Sequence, residues 1–212
     1  MLRCSIASRA MGRPFYIALE GSEGCGKSTH ARRLGEAIGA VVTRETGGTP
    51  IGERLRAILH DTTVLDLDDR AETLIVAADR AQHMAEVVRP ALAAGRHVVS
   101  DRSVYSTLAY QGYGRGLPLD EVRRINEWAM GDIWPDLVVL LTIPADVTAE
   151  RMRRRQLDRF EQAGDDFHAR VENGFTAMAA AEPERWVVVD ATRSKDDVAA
   201  AVRSAVTERL GL

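Results

Sequence analysis

Eight residues near the start of the chain have the types and the spacing of a phosphate-binding loop. They are Gly21-Ser22-Glu23-Gly24-Cys25-Gly26-Lys27-Ser28, and they match the pattern G-x-x-x-x-G-K-[ST]. The glycines let the backbone wrap closely around phosphate oxygens, and the start of the helix that follows favours an anion. Lys27 would place a positive charge on the transferring phosphate, and Ser28 would offer a hydroxyl to Mg²⁺. Residues 21–28 together with Thr29 are therefore predicted to bind ATP.

A second candidate group ends a buried apolar run. Asp101 follows Val98-Val99-Ser100, so it would lie at the carboxyl end of a strand. An acid in that place, beside a phosphate loop, can hold the hydration shell of Mg²⁺, which makes Ser28 and Asp101 the predicted metal ligands. The alternative is that Asp101 caps the next helix. Arg102 would lie at the same sheet edge, where it could bridge two anions.

The third candidate is an arginine-rich segment, Arg151 to Arg159, which holds five arginines and one acid. Such a run is usually a solvated helix face, but like charges this dense repel each other unless an anion joins them. Beside a phosphate loop, the run predicts a mobile flap, the LID, over about residues 150–162. Its closure would stabilise the transferring phosphoryl group. Arg151, Arg155 and Arg159 are the predicted catalytic arginines of the LID, acting with Lys27 and Arg102.

Five short apolar runs are predicted to position these groups as strands. They lie at Phe15–Leu19, Val41–Thr43, His97–Ser100, Leu137–Thr142 and Trp186–Val189. The runs are continuous rather than alternating, and helical patterns separate them. This combination predicts an α/β fold with a five-stranded parallel sheet and helices on both faces. A single domain is expected over residues 14–212, after a disordered tail at 1–13, with a long kinked helix over 69–94 and a flexible loop over 112–116.

Composition excludes several classes of protein. The chain has 212 residues, a net charge of −3 and a pI near 6.0, which argues against a nucleic-acid partner. No window approaches 18 uninterrupted apolar residues, so no membrane span is expected. Two cysteines cannot build a disulfide framework, and a cytoplasmic location is expected. Among 28 basic residues only Lys27 and Lys195 are lysines, which suggests that the chemistry of Lys27 requires a lysine.

The ordered set of motifs resembles that of the bacterial thymidylate kinases, over about residues 15–210. Besides the phosphate loop, the resemblance rests on Arg44–Thr49, Ala77–His83, Asp101–Ser103, Ser106–Gly112 and Leu157–Glu161. It implies a P-loop kinase architecture and a phosphoryl transfer from ATP to dTMP that yields dTDP and uses Mg²⁺. It also implies a homodimer whose small-molecule partners are ATP and dTMP.

The resemblance assigns roles at the acceptor phosphate and the sugar that spacing alone does not. Glu23 matches an acid that contacts the 3′-hydroxyl of dTMP, and Arg44 and Arg102 match arginines on the acceptor phosphate. In some members a catalytic arginine lies inside the phosphate loop. The loop interior here has none, so the resemblance implies that the LID supplies it.

The resemblance also assigns residues to the thymine. Arg80 matches an arginine that hydrogen-bonds the base, and Thr107 and Tyr110 match base and sugar contacts. Val76 occupies a position where a phenylalanine commonly stacks on the thymine. The remaining implied substrate contacts are Ser106 and Gln111.

Three other functions remain to be weighed. Another small-molecule or nucleoside monophosphate kinase would share the phosphate loop, but the Arg-Glu-x-Gly-Gly-Thr block beginning at Arg44 argues against it. A regulatory GTPase would need Asp-x-x-Gly after the third strand and an Asn-Lys pair, and the chain has neither. A nucleotide-binding protein without catalysis is disfavoured because Lys27, Ser28, Asp101 and Arg102 are all present.

Overall fold

The computed structural model describes residues 12–64, 66–153 and 157–212. Within these ranges five strands form one sheet: β1 (Tyr16–Glu20), β2 (Val41–Arg44), β3 (Val98–Asp101), β4 (Leu137–Thr142) and β5 (Trp186–Asp190). Every pairing is parallel, and the spatial order is β2-β3-β1-β4-β5. The predicted five-stranded parallel sheet is therefore confirmed. Most of the predicted tail, residues 1–11, lies outside the described residues.

Nine α-helices lie between the strands and after the last one in the described ranges. They are α1 (Lys27–Ile38), α2 (Pro50–His60), α3 (Asp69–His83), α4 (Arg89–Ala93), α5 (Val104–Thr107), α6 (Leu119–Met130), α7 (Ala145–Met152), α8 (Asp165–Ala181) and α9 (Lys195–Leu210). Side-chain caps fix several starts, because Thr49, Asp68 and Ser194 each accept a hydrogen bond from a backbone N–H of the first turn. In the described part of the chain, no helix combines the length and the apolarity that a membrane span requires.

Two details differ from the expectations. The predicted long helix is interrupted by a π-helical turn over Met84–Val88, in which the Arg89 N–H donates to the Met84 carbonyl five residues earlier. Pro90 follows at once and lacks the N–H that an uninterrupted α-helix would use there. The predicted flexible loop over 112–116 is wrong for its first part, because Leu108–Gly114 is also π-helical. A Cβ on Gly112 would lie 2.4 Å from Leu119, so this glycine allows close packing rather than flexibility.

The hydrophobic core lies on both faces of the sheet. Tyr16 of β1 packs with Val98 and Val138 on one face, under α3, α6 and α8. Its neighbour Ile17 packs with Val99 on the other face, under α1 and α9. Since both faces are covered, polar groups reach a cleft only where the strands end. The strand register determines which residues meet at that edge. Asp101 pairs with Leu19 of β1 and with Arg44 of β2.

Candidate active site

The phosphate loop joins β1 to α1 and has the backbone geometry that its glycines allow. Gly21 has φ +140°, and a Cβ at this position would lie 2.3 Å from the Leu141 carbonyl oxygen. Gly26 has φ +97° and leads directly into α1, whose first residue is Lys27. The Lys27 Nζ donates to the carbonyls of Ser22, at 2.7 Å, and Gly21, at 3.2 Å. The Lys27 side chain therefore folds back over the phosphate loop, where its charge would contact a bound phosphate.

Ser28 and Asp101 meet directly at the end of β3. The Ser28 hydroxyl donates a hydrogen bond to Asp101 Oδ2, while the buried Asp101 Oδ1 finds no hydrogen-bond partner in the described ranges. A hydroxyl and a carboxylate with one unused oxygen fit Mg²⁺, which keeps several waters and takes its other ligands from phosphates. No group of three or more His, Cys, Asp or Glu side chains suited to a metal occurs among the described residues. Hence an all-protein cage is absent from that part of the chain.

Arg102 has an unusual backbone conformation, and both of its Nη atoms donate hydrogen bonds within the protein. Its φ of +73° lies in the left-handed region, which is uncommon for a residue with a side chain. Its Nη atoms donate to Ser106 Oγ at 2.9 Å, to Tyr110 Oη at 3.1 Å and to the carboxylate of Glu23. Burial would raise the pKa of Glu23, but the charges of Arg102 and Lys27 outweigh it and hold that pKa below its usual range. The Arg102–Glu23 pair is therefore ionised.

Glu20, which the sequence analysis did not single out, supports the turn that carries Arg102. It is completely buried at the end of β1 and accepts from the Ser103 N–H and hydroxyl, both at 2.7 Å, and from the Ser106 hydroxyl at 2.6 Å. Burial raises its pKa above the usual value. The sequence signal that could have identified Glu20 is an acid at the end of a wholly apolar strand. Such a group must be hydrogen-bonded when it is buried.

Two further arginines approach the loop from the side of β2 and α2. Arg44 is half exposed and bonds the Gly47 carbonyl, while Arg56 donates to the Thr46 carbonyl at 3.2 Å. Burial lowers the pKa of Arg56, and the charges of Arg44 and Arg102 lower it further. The mutual repulsion of three guanidinium groups favours an anion among them. Arg56 was not predicted, since one arginine on an amphipathic helix carries no distinctive signal.

One cavity of about 350 Å³ extends from the loop toward α3 and the π-helical turn after α5, a size typical of small-molecule sites. We call its end at residues 23–24 and 26–29, Arg44, Arg56, Asp101 and Arg102 the phosphate side. The opposite end is the distal side. It is lined by Leu59, Val76, Arg80, Thr107, Tyr110, Gln111 and Phe160.

Arg80 is fixed on the distal side by a buried network. Its Nε donates to Glu45 Oε2 at 2.8 Å, and its Nη atoms donate to the Ser103 carbonyl and to Asn126 Oδ1. His83 Nδ1 lies 2.7 Å from the other Glu45 oxygen. Burial would raise the pKa of Glu45, but Arg80 and His83 outweigh it and lower that pKa. A guanidinium has five N–H groups, so Arg80 keeps donors for a ligand.

Thr107 and Gln111 differ in what they offer the cavity. The buried Thr107 Oγ1 has no hydrogen-bond partner within the described residues, which fits a group that waits for a ligand. The Gln111 amide instead donates to Glu72 at 2.7 Å. Val76 adds an aliphatic wall, and Ser106 reaches the cavity while it bonds both Glu20 and Arg102.

The predicted LID arginines separate in space. Arg151 lies in the last turn of α7. Its guanidinium donates to the carbonyls of Gly24, at 3.0 Å, and Ala191, at 3.2 Å, so it contacts the phosphate loop. Arg159 donates to Glu72 Oε2 at 2.6 Å and to the Leu59 carbonyl at 2.9 Å, next to the distal side. Arg155 lies outside the described residues. The structure thus brings Arg151, but not Arg159, to the phosphate loop.

Comparison with known proteins decides the family. The model of a family described as thymidylate kinase matches residues 19–202. The chain belongs to the thymidylate kinase family. The resemblance read from its motifs is confirmed.

Named relatives agree along nearly the whole chain. A thymidylate kinase of Deinococcus radiodurans is 45% identical over 205 residues, which cover 94% of this chain and 99% of that protein. One from Desulfovibrio desulfuricans is 44% identical over 204 residues, 90% and 94% of the two chains. One from Neisseria gonorrhoeae is 42% identical over 206 residues, 94% and 99% of the two chains.

Within this thymidylate kinase family member, the predicted phosphate-side and distal-side residues do line one cavity. The exceptions among the described residues are Gly21, Ser22, Cys25, Arg151 and Arg159, which do not line it. Nine further lining residues were given no role in the sequence analysis: Glu45, Thr46, Arg56, Leu59, His60, Ser103, Asp158, Phe160 and Glu161. His60 and Phe160 approach from α2 and from the end of the LID segment. Their joint position depends on tertiary packing.

Proposed function

We propose that this chain transfers the γ-phosphoryl group of ATP to dTMP, forming dTDP and ADP. The observation that carries the proposal is the continuous cavity, which joins a phosphate loop to a pocket with fixed donors. Membership of the thymidylate kinase family supports the choice of acceptor. An acceptor phosphate oxygen attacks the γ-phosphorus, and the bond to the oxygen that bridges to the β-phosphorus breaks. ADP leaves with that oxygen, and no strong general base is required.

On the phosphate side, residues 21–29 would hold the triphosphate, with Lys27 turning from the loop carbonyls toward the β- and γ-phosphates. Ser28 and Asp101 would hold Mg²⁺, which when bound neutralises charge on the phosphates. Arg102 and Arg44 would bind the acceptor phosphate, and Arg56 adds a third positive charge there. The ionised Glu23 would accept a hydrogen bond from the sugar 3′-hydroxyl.

On the distal side, Arg80 would donate to a thymine carbonyl. Thr107, whose hydroxyl has no partner in the described structure, would bond the base, and Tyr110 and Ser106 would border the sugar. Val76 would contact the ring as an aliphatic wall. Gln111 would act through its bond to Glu72 as well as by lining the pocket.

Arg151 is the LID arginine best placed for catalysis, because it already contacts the loop carbonyl of Gly24. Closure of the LID would move its guanidinium onto the transferring group and exclude water. Arg155 stays a second candidate on the sequence argument. Arg159, also predicted as catalytic, is held on the distal side by Glu72, and a direct role in transfer would require it to leave this carboxylate.

Product analysis tests the proposal. The purified chain is incubated with ATP, Mg²⁺ and dTMP, and nucleotides are separated and quantified. We expect dTDP and ADP in equal amounts, and neither above background when Mg²⁺ is chelated. ADP without dTDP would indicate hydrolysis only. If the chain forms no dTDP but phosphorylates another nucleoside monophosphate, the second candidate is correct, namely a kinase for a different acceptor.

We infer further that the chain acts as a homodimer. Helices α2, α3 and α6 are neighbours and carry exposed large apolar side chains, namely Ile51, Ile58, Leu74, Leu119 and Trp128. Trp128 is 87% exposed and so is not the packing anchor its type suggests. Light scattering should give twice the chain mass, and Leu74→Arg should shift it toward the monomer. The single domain over 14–212 and the cytoplasmic location stay predictions.

A further inference from the structure

Aromatic surface on the distal side is scarce. Of the described residues that line the cavity there, Val76 and Leu59 are aliphatic, and the benzene-type rings are those of Tyr110 and Phe160. A flat pyrimidine packs most favourably against a ring or another flat group. Only Tyr110 and Phe160 could therefore offer such a ring to a ligand on the described distal side.

Tyr110 is committed to contacts within the protein. Its hydroxyl bonds Arg102, and the Arg102 guanidinium carbon lies 5.0 Å from its ring centroid. Three phenylalanines meet the ring at steep angles, with centroids at 5.9 Å for Phe160, 5.9 Å for Phe167 and 6.4 Å for Phe175. Tyr110 is therefore the centre of an aromatic cluster, with three phenyl rings packed against its own ring and its hydroxyl bonded to Arg102.

Phe160 is held at the cavity wall by its neighbours in sequence. Asp158 Oδ1 accepts from the Phe160 N–H at 2.9 Å, and its Oδ2 lies 2.6 Å from His60 Nδ1 of α2. The Arg159 guanidinium lies over the phenyl ring, 4.8 Å from its centroid, and is itself anchored on Glu72. The ring is therefore buried and held in place, although it belongs to the end of the segment that the sequence predicts as a mobile LID.

We propose that Phe160 supplies the aromatic surface against which the base of the acceptor nucleotide packs. The inference rests on the proposed function, because it places the acceptor base on the distal side. Arg80 would then read the edge of the base, while Phe160 contacts its face. The ring belongs to the segment that ends the LID, so base binding and the position of the LID would share one stretch of chain.

Three variants separate this role from general packing. Phe160→Leu removes the ring, Phe160→Tyr keeps it, and Phe167→Leu is the matched control. Phe167 also packs edge-on against Tyr110 and is buried, but it does not line the cavity. Thermal unfolding verifies that each variant is folded. Binding of dTMP is compared with binding of 2-deoxyribose 5-phosphate, which has the phosphate and sugar but no base.

We expect Phe160→Leu to weaken dTMP binding about tenfold, the scale of a lost base–aromatic contact, with unchanged binding of 2-deoxyribose 5-phosphate. Phe160→Tyr and Phe167→Leu should bind dTMP like the parent. In proton NMR, the thymine methyl and H6 signals of bound dTMP should show an upfield ring-current shift that Phe160→Leu removes and Phe167→Leu retains.

Three results would overturn the inference: an unchanged ring-current shift in Phe160→Leu, equal losses of dTMP affinity in Phe160→Leu and Phe167→Leu, or an equal loss for the ligand without a base. Each could occur in a chain that still converts dTMP to dTDP, so this failure is distinct from that of the proposed function. If the parent chain forms no dTDP, the proposed function itself fails.

Discussion

The phosphate side and the distal side of the cavity are built from the chain in different ways. The loop of the phosphate side is eight consecutive residues, and its partner Asp101 is placed by strand register alone. The distal side takes Leu59 from α2, Val76 and Arg80 from α3, Thr107 from α5 and Phe160 from the segment before α8. The phosphate loop is thus encoded locally, whereas the distal side depends on how these four elements and the π-helical turn over Leu108–Gly114 pack together.

The two sides also differ in electrostatics. Lys27 and three arginines line the phosphate side against two acids, Glu23 and Asp101, so positive charge is in excess there. On the distal side each cation is matched, Arg80 by Glu45 and Arg159 by Glu72. Unbalanced charge attracts an anion, while a matched network holds donors in a fixed geometry. In the proposed mechanism the phosphate side would supply binding energy and rate, and the distal side would supply selection of the base.

The largest expected effect is on the phosphate side. Lys27→Ala should lower kcat by about 10²–10³, because one charge on the transferring group is lost while the core is untouched. Lys195→Ala, which removes the chain's other and exposed lysine, is the control and should retain activity. Both are followed by steady-state kinetics and circular dichroism. Normal turnover in a folded Lys27→Ala protein would remove the phosphate loop from the mechanism.

Next is the LID. Arg151→Ala should lower kcat by about 10² with a smaller change in the KM for ATP, because its charge is needed mainly in the transition state. Arg153→Ala should have a much smaller effect, since this side chain is 72% exposed and pairs with Glu150. Kinetics of the two variants, at varied ATP, make the comparison. Equal effects of both substitutions would contradict the assignment of Arg151.

The buried network of the distal side predicts an effect on stability. Glu45→Gln should lower the free energy of unfolding at pH 7 by about 2 kcal/mol, because charged hydrogen bonds to Arg80 and His83 are weakened. The folded-state pKa of Glu45 is lowered, so its contribution is complete above the unfolded value of about 4.3 and is lost as pH falls.

Urea unfolding from pH 7 down to pH 3 measures this contribution. The difference between the parent chain and Glu45→Gln should shrink below about pH 4. Glu53→Gln is the control, since the exposed Glu53 carboxylate lies 3.5 Å from Arg44 and should matter by less than about 0.5 kcal/mol. If the difference in unfolding free energy between the parent chain and Glu45→Gln does not change with pH, the shape of the side chain, and not its charge, stabilises the network.

The smallest effect concerns selection by Arg80. A guanidinium only donates, so it favours a carbonyl at the edge of the base over the amino group of cytosine. Arg80→Lys retains a charge opposite Glu45 but loses the planar fork, and should reduce the preference for dTMP over dCMP about tenfold. Competition binding of the two nucleotides measures this ratio. An undiminished preference would remove Arg80 from base recognition.

These contrasts also explain what could be predicted from sequence. Continuous apolar runs such as Leu137–Thr142 identified the parallel sheet, because both faces of each strand had to be buried. The loop geometry followed from its glycines and Lys27. Phe160 could not be assigned from the sequence. Its place at the cavity depends on a contact between Asp158 and His60, two residues that are 98 positions apart in the chain. The π-helical turn over Leu108–Gly114 was missed because buried glycines have the same sequence signature as a flexible loop.

In the proposed mechanism the distal side selects the thymine monophosphate for a transfer that the phosphate side carries out. A direct test gives the chain an equimolar mixture of dTMP, dCMP and dGMP with limiting ATP and Mg²⁺, so that the product ratio reports the ratio of kcat/KM values. Chromatography of the nucleoside diphosphates measures that ratio. We expect dTDP as the main product, at least about tenfold over dCDP and dGDP. Formation of dCDP or dGDP as fast as dTDP would contradict it.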